Sequence, residues 1–399
     1  MKNYSCALSF LIFFSFLVSP AGAAHIKVMT QNQYIGADLI PLFAASDAGG
    51  FNAALVEALR TVAANKPAER MRALADVVAK ERPAIVGLQE VSRFQCTGPG
   101  CSDPSIAAAF VDHLQLTLDV LDGTYEEVAT VVNLDLSGIP FLINGIPAQL
   151  SVTDRVVILA REGVNATPVD FQSVGACAQQ SGDGCNYSFI LQAPTPLGPI
   201  DIERGFVAVD ATIHGKNYRV VNTHLEQQQP DPNNPASQVF QSAQAAELIQ
   251  TVLNTTPPNR SLIVLGDMNS SPEHPAIPGP LPLPPPFDGG IITPYQQFVL
   301  AGFTDVWELR PGNQPGYTCC QDEDLTNRRS EFEERIDMIF SLEEPAKVKK
   351  LRVVGDKVSD KTRPPGRGLW PSDHGSLTAE LELRQLTAQN EAESSSPSN

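Results

Sequence analysis

After its first two dozen residues the chain contains no apolar run of membrane-spanning length, so no later helical span is expected and the remainder should be soluble. Basic residues are the minority, with 28 Lys and Arg against 45 Asp and Glu and a net charge of −17. Such a surface disfavours tight non-specific binding to nucleic acid or to an anionic membrane. A polyanionic substrate stays open, because a cation held in a site inverts the local field. Histidine is scarce at 6, and none of the cysteine spacings matches a zinc site. No fixed-period repeat is visible either, which sets a repeat array aside.

What is present begins with a leader. Lys2, an apolar stretch from Leu8 to Val18, and the small residues Ala21, Ala23 and Ala24 read as a secretory signal peptide over residues 1–24. Export, to the exterior or a periplasm, is therefore expected, and no Cys follows the apolar stretch closely enough for a lipid anchor. Cys6 would leave with the leader, and the remaining cysteines fall into the close pairs Cys96/Cys101, Cys177/Cys185 and Cys319/Cys320. In an exported chain this clustering favours local disulfides, the last of them vicinal.

Apolar strand patterns alternate with helical ones, so a single large α/β domain over residues 25–385 is the economical reading. Strands are expected at "HIKVMTQN", "AIVGLQEV", "RVVILARE", "GFVAVDATIHG", "NYRVVNTHLE", "SLIVLGDMN", "RIDMIFS" and "GSLTAELEL". Short links such as "IHGKNY" predict antiparallel pairing. The spacing predicts helices over Pro67–Lys80 and Ser237–Leu253, packed on sheet faces. Phe94–Ala107 and the proline run Pro275–Phe287 read as loops, the latter as a stiff extended flap. The tail 386–399 is polar and expected to be disordered. Between Lys347 and Arg367, Lys349, Lys350, Arg352, Lys357, Lys361 and Arg363 outnumber Asp356 and Asp360; the segment either borders a site and collects phosphates or is a solvated charge run.

The chemistry lies where apolar strands end. One ends at Asn32, the next at Glu90, another at Asn222 and His224, and "LIVLGDMN" at Asp267 and Asn269. Asp337 stands inside the apolar run of "ERIDMIF", and "LWPSDHGSL" delivers Asp373 and His374 before the last strand. Burying this many charges separately would cost several kcal/mol per ion, so a shared purpose is the better account. Oxygen donors such as Glu90, Asp373, Asp267 and the amides suit Mg²⁺, Mn²⁺ or Ca²⁺ rather than zinc. Two histidines beside them supply acid–base capacity for phosphoester hydrolysis.

In this order, "LQE", "NTHL", "GDMN", "RID" and "SDH" resemble the endonuclease/exonuclease/phosphatase superfamily, over about Ile26 to Leu383. The resemblance implies a deoxyribonuclease I-like fold of the α/β (α+β) class: a four-layer αββα sandwich of two mixed, largely antiparallel sheets. It implies Glu90 as principal metal ligand with Asn32 and Asp373 nearby, and Mg²⁺ as cofactor with Mn²⁺ or Ca²⁺ as substitutes. It implies His374 acting on the attacking water or the phosphate, oriented by Asp337. Asp267 and Asn269 would position nucleophile and phosphate, and His224 would protonate the leaving oxygen or bind the phosphate. Arg155 and Arg204, each ahead of a strand, either reach a phosphate or serve as ion-pair partners; Asn222 either holds His224 or closes a turn; Tyr34 either lines the pocket or packs. The implied activity is a metal-dependent phosphoesterase on a diester or monoester, nuclease-like or sphingomyelinase-like, acting as a monomer on nucleic acid, a phospholipid head group or a small molecule. The inositol-phosphatase branch is disfavoured, since "EERIDMIF" lacks its Trp-Cys-Asp-Arg signature. The alternative is a secreted binding protein on the same fold with catalysis lost.

Overall fold

The computed structural model describes residues 25–228, 236–363 and 368–383. The leader 1–24, the tail 386–399 and Arg367 lie outside the described residues.

Every one of the eight expected strands is formed, and they assemble into two sheets. In chain order we label β1 (Ile26–Asn32), β2 (Ile85–Gln89), β3 (Arg93–Thr97), β4 (Tyr125–Ile143), β5 (Ile146–Arg161), β6 (Gly205–Ile213), β7 (Lys216–His224), β8 (Ser261–Asp267), β9 (Asp337–Ser341), β10 (Lys347–Val354) and β11 (Ser376–Glu382). The first sheet, 7-stranded, runs β10-β11-β1-β2-β5-β3, with β4 also on β5. The second, 8-stranded, has β9-β8-β7-β6 at its centre with short strands at both ends. β1 and β2 are parallel, as are β7 and β8; β1–β11, β2–β5, β6–β7 and β8–β9 are antiparallel. Both sheets are therefore mixed, with antiparallel pairs in the majority, as expected.

Beyond a single turn at Ile40–Phe43, the α-helices among the described residues are α1 (Ala48–Ala64), α2 (Pro67–Glu81), α3 (His113–Leu121), α4 (Ala236–Thr255) and α5 (Pro294–Leu300). Helix α2 starts with Pro at its first turn and buries Met71, Leu74, Ala75 and Val78, one stripe at helical spacing. Ala75 and Val78 pack with Leu114 and Leu121 of α3 on the outer face of the first sheet. Ala245, Leu248, Ile249 and Val252 of α4 cover the second sheet with Phe298 of α5. Between the sheets Val28, Ile85, Val156, Ile158, Val207, Val220, Ile263 and Ile339 form a wholly apolar layer. Each such side chain contributes about 1.5–3 kcal/mol when fully buried. The result is helix, sheet, sheet, helix.

Several local expectations are corrected. Phe94–Thr97 belongs to strand β3, because it pairs with Val152–Gln149 of β5, and only the chain beyond it is loop, pinned by Cys96–Cys101. The proline run is not free of ladder contacts: Ile277–Pro278 pairs with Gly290–Ile291 and closes it as a loop. Helices α1, α3 and α5 and strands β4 and β10 have no counterpart among the expected elements; α1, with Asp47 capping Gly50, packs Phe51, Leu55 and Leu59 against Phe141 and Ile143 of the β4–β5 hairpin. The three local disulfides form as expected.

Candidate active site

Alternate residues of a strand face the same side, so the apolar inter-sheet layer can be followed outward to whatever succeeds it. On β5, Ile158 and Val156 are succeeded by Asp154; on β7, Val220 by Asn222 and then His224; on β8, Ile263 and Leu265 by Asp267; on β1, Val28 by Thr30 and Asn32. The topology puts these ends on one rim. β7 and β8 run parallel and finish there, while antiparallel β9 and β11 begin there. Asp337 is consequently the first residue of β9, not its middle, and faces Asp267 in register. Asp373 and His374 sit just before β11.

The geometry is dense. His374 Nδ1 lies 2.8 Å from Asp337 Oδ2, and its Nε2 is 3.8 Å from Asp267 Oδ2. His224 Nε2 is 3.5 Å from that same Asp267 oxygen. Asn269 Nδ2 stands 3.2 Å from His224 Nε2 and donates to the Leu225 carbonyl, while the Asn269 N–H donates to Asp267 Oδ1 at 2.9 Å. Asn32 Nδ2 donates to Glu90 Oε1 and to Asp267 Oδ2, both at 3.0 Å, and its Oδ1 accepts the Tyr34 N–H. Asn32 thus ties the Glu90 and Asp267 carboxylates together. Glu90 Oε2 accepts the Ile35 N–H at 2.6 Å.

Backbone strain marks the same spot. Glu90, Asn269 and Tyr34 hold φ of 52°, 46° and 61°. Asn tolerates this region; for Glu and Tyr it costs on the order of 1–3 kcal/mol, sustained only where surrounding contacts impose it. At Gly266 a Cβ would meet the Thr223 carbonyl oxygen at 2.0 Å, so only glycine lets β8 approach β7 there.

Electrostatics separate the two histidines. Burial alone would lower His374, but Asp337, Asp373 and Asp267 hold it well above the ordinary imidazole range. Burial, with Arg204 and His374 nearby, pushes His224 well below it. Burial raises Asp267 to about 7, with Asp337 adding to the rise and His374 opposing it. Asp373 is raised to about 6 by burial and Glu90, with His374 again opposing. Asp337 Oδ1 is buried with no partner. This is a cluster of acids short of positive charge.

Not every expected residue joins it. Arg155 Nε donates to the Val91 carbonyl and its guanidinium pairs with Asp112, the residue capping α3, on the outer face of the first sheet. Its neighbour Asp154 faces inward instead, accepts from Ser92 Oγ, and is raised to about 6 by burial and Glu90. The sequence signal for it is a carboxylate at a strand end, two residues before Val156 and so on the same face. Asn222 lies one layer below the rim: Nδ2 donates to the Leu88 and Val157 carbonyls and Oδ1 accepts from Gln89, so it joins the sheets rather than holding His224 or closing a turn. Tyr34 is buried with Leu325 and Trp370, and its hydroxyl donates to the Glu323 carbonyl. Arg204 reaches His224 Nδ1 at 3.1 Å and pairs with buried Glu226. Lys349, Lys350 and Arg352 pair with Glu382, Glu380 and Glu81 at the end of the sheet remote from the rim, so these three do not border the site. Arg70, with no signal in sequence, lies wholly buried beneath the rim and donates to the carbonyls of Gln33, Tyr34, Asn65 and Pro371.

A family model described as Endonuclease/Exonuclease/phosphatase family matches residues 49–374. Among solved structures the chain is similar to an endonuclease/exonuclease/phosphatase family protein from Bacteroides thetaiotaomicron, at 17% identity over 90% of this chain and 97% of that one, TM-score 0.49. It is also similar to the endonuclease/exonuclease/phosphatase from Beutenbergia cavernae DSM 12333 (19% identity, 90% of this chain, 72% of that one, TM-score 0.46) and to truncated TDP2 from Caenorhabditis elegans (17%, 90%, 97%, TM-score 0.44). No curated protein matches the chain.

Proposed function

We propose, from the premise that this chain belongs to the endonuclease/exonuclease/phosphatase family, that it is a divalent-cation-dependent hydrolase of a phosphoester bond, nuclease-like or sphingomyelinase-like. The observation carrying the proposal is the convergence of Asn32, Glu90, His224, Asp267, Asn269, Asp337, Asp373 and His374 on one rim, with the 2.8 Å His374–Asp337 contact at its centre. That arrangement is more than a binding protein with lost catalysis would need to keep.

The donor set fits a hard cation. Asp337 Oδ1 is buried with no partner, and the neighbouring Asp267 and Asp373 carboxyls are pushed up by burial and by nearby acids, a repulsion that a cation would relieve. Glu90 and Asp373, with Asn32 between Glu90 and Asp267, would hold Mg²⁺, with Mn²⁺ or Ca²⁺ as substitutes. Such an ion would polarise a phosphoryl oxygen and offset charge developing on the leaving group.

The chain's own groups divide the remaining work. Asp267, 3.5 Å from His224 Nε2 and 3.8 Å from His374 Nε2, is placed to orient an attacking water and take its proton. His374, kept cationic by its acids and oriented by Asp337, is suited to hold a phosphate oxygen. His224, Asn269 and Arg204 flank the opposite side, where they would bind the phosphate or the departing oxygen. We also propose that residues 1–24 export the protein, a reading its three disulfides support, and that it acts as a monomer. Among the described residues no helix is long and apolar enough to cross a membrane.

Purified protein should be assayed on plasmid DNA, RNA, sphingomyelin and an activated phosphodiester, each with Mg²⁺, Mn²⁺, Ca²⁺ or EDTA. Cation-dependent cleavage of one substrate is expected. Glu90→Ala, Asp267→Ala and His374→Ala should each lower turnover at least ~100-fold, the scale of general acid–base or electrostatic stabilisation. Three variants as active as the parent would overturn the assignment.

A further inference from the structure

The segment carrying the adjacent cysteines is built into the frame of the site. Cys319 forms isolated antiparallel bridges with Glu334 on one side and His374 on the other. The Gly375 N–H donates to the Thr318 carbonyl at 2.7 Å, and the Gln321 N–H to the Asp373 carbonyl at 3.0 Å. Thr318 Oγ1 accepts the N–H groups of Ile336 and Asp337. One short segment therefore fixes both members of the His374–Asp337 pair.

The sulfurs lie against that pair. The Sγ atoms of Cys319 and Cys320 and a ring nitrogen of His374 are all within 4.8 Å of one another. Cys319 is buried and Cys320 exposed, so the group opens to solvent. His374 is thus shared by two donor sets, the carboxylates of Asp267 and Asp337 and the sulfurs of Cys319 and Cys320. Oxygen donors select hard cations, whereas thiolates with an imidazole select thiophilic ones. While Cys319 and Cys320 are joined, their sulfurs are not thiolates and the second set is silent.

We propose that opening this disulfide creates a second metal site, formed by Cys319, Cys320 and His374, that takes a thiophilic divalent ion of the zinc class and withdraws His374 from its partnership with Asp337. A phosphine reductant supplies the two electrons. The S–S bond breaks, phosphorus takes the oxygen of one water to become a phosphine oxide, and the two hydrogens of that water end on the two sulfurs as thiols. Metal binding then releases the two thiol protons and the imidazolium proton of His374.

The test is titration of the full mature protein with Co²⁺, a spectroscopic substitute for Zn²⁺, before and after phosphine treatment. A thiolate-to-metal charge-transfer band, reaching one equivalent and abolished by Zn²⁺ but not by Mg²⁺, is expected only after reduction. Cys320→Ser, at an exposed position, should lose that band while keeping the other two cysteine pairs, and His374→Ala should weaken Co²⁺ binding at least ~10-fold. Absence of the band in the reduced protein would overturn the proposal. So would its persistence in Cys320→Ser, or unchanged affinity in His374→Ala. None of these readouts depends on hydrolysis.

Discussion

Asp267→Asn should make the cation-free protein more stable at pH 8, and the gain should vanish in mild acid. The folded state raises this carboxyl from 3.8 to about 7. A gap of roughly 3 units, at about 1.4 kcal/mol each, amounts to about 4 kcal/mol. Because the folded protein holds the proton more tightly than the unfolded chain, stability declines as the pH climbs from about 4 to about 7, and the full penalty applies above that. The amide removes the penalty but keeps only one acceptor oxygen. Asp267 Oδ1 takes the Asn269 N–H and Oδ2 takes Asn32 Nδ2, so one of these contacts is lost. An unsatisfied buried donor costs about 1–3 kcal/mol. The net expectation is a gain of about 1–3 kcal/mol at pH 8 and none at pH 5, where only about a third of the penalty has developed. Urea unfolding in EDTA, followed by the fluorescence of buried Trp307 and Trp370, measures it. Adding Mg²⁺ should narrow the difference, since a cation relieves the same repulsion in the parent. A variant no more stable than the parent at pH 8, or one with an equal gain at pH 5, would refute the reasoning.

Other substitutions separate structure from chemistry. Arg155→Met should leave kcat/KM within about threefold but lower stability by about 1–3 kcal/mol, through loss of the Asp112 pair and the Val91 carbonyl contact. A large loss of activity in a folded protein would return Arg155 to the site. Asn222→Leu should prevent stable folding, because the Leu88 and Val157 carbonyls and the Gln89 amide lose their partner between the sheets, at about 1–3 kcal/mol for each. A cooperative, parent-like thermal transition would show that its bridging matters little. Asp154→Asn should fold and lower turnover at least ~10-fold, through the altered surroundings of Glu90 and Arg204, with steady-state kinetics as the check.

Much of the site could be read without coordinates because strand chemistry is local. A run such as "LIVLG" buries both faces, and polar residues at its end have nowhere to go but a rim. That reasoning found Asn32, Glu90, His224, Asp267, Asn269, Asp373 and His374, all of which the fold brings together. It failed where facing mattered. Asp154 and Arg155 are adjacent, so they point to opposite sides of β5: the acid enters the inter-sheet space and the guanidinium goes to helix α3. Guanidinium chemistry suggested the second, whereas parity placed the first.

Sequence alone therefore determined eight of the eleven labelled strands, the polar residues that end them and the close cysteine pairs, since each follows from side-chain pattern or short loop closure. Helix α1 escaped, and Gly49 and Gly50 in its first turn weaken the local signal; its apolar face makes sense only against the β4–β5 hairpin. Tertiary structure decided what no spacing encodes. Antiparallel β9 places Asp337 opposite Asp267, buried Arg70 braces the rim, and the Cys319 segment crosses behind His374. These contacts join residues far apart in the chain, and their geometry is set by sheet register and by packing between the two sheets.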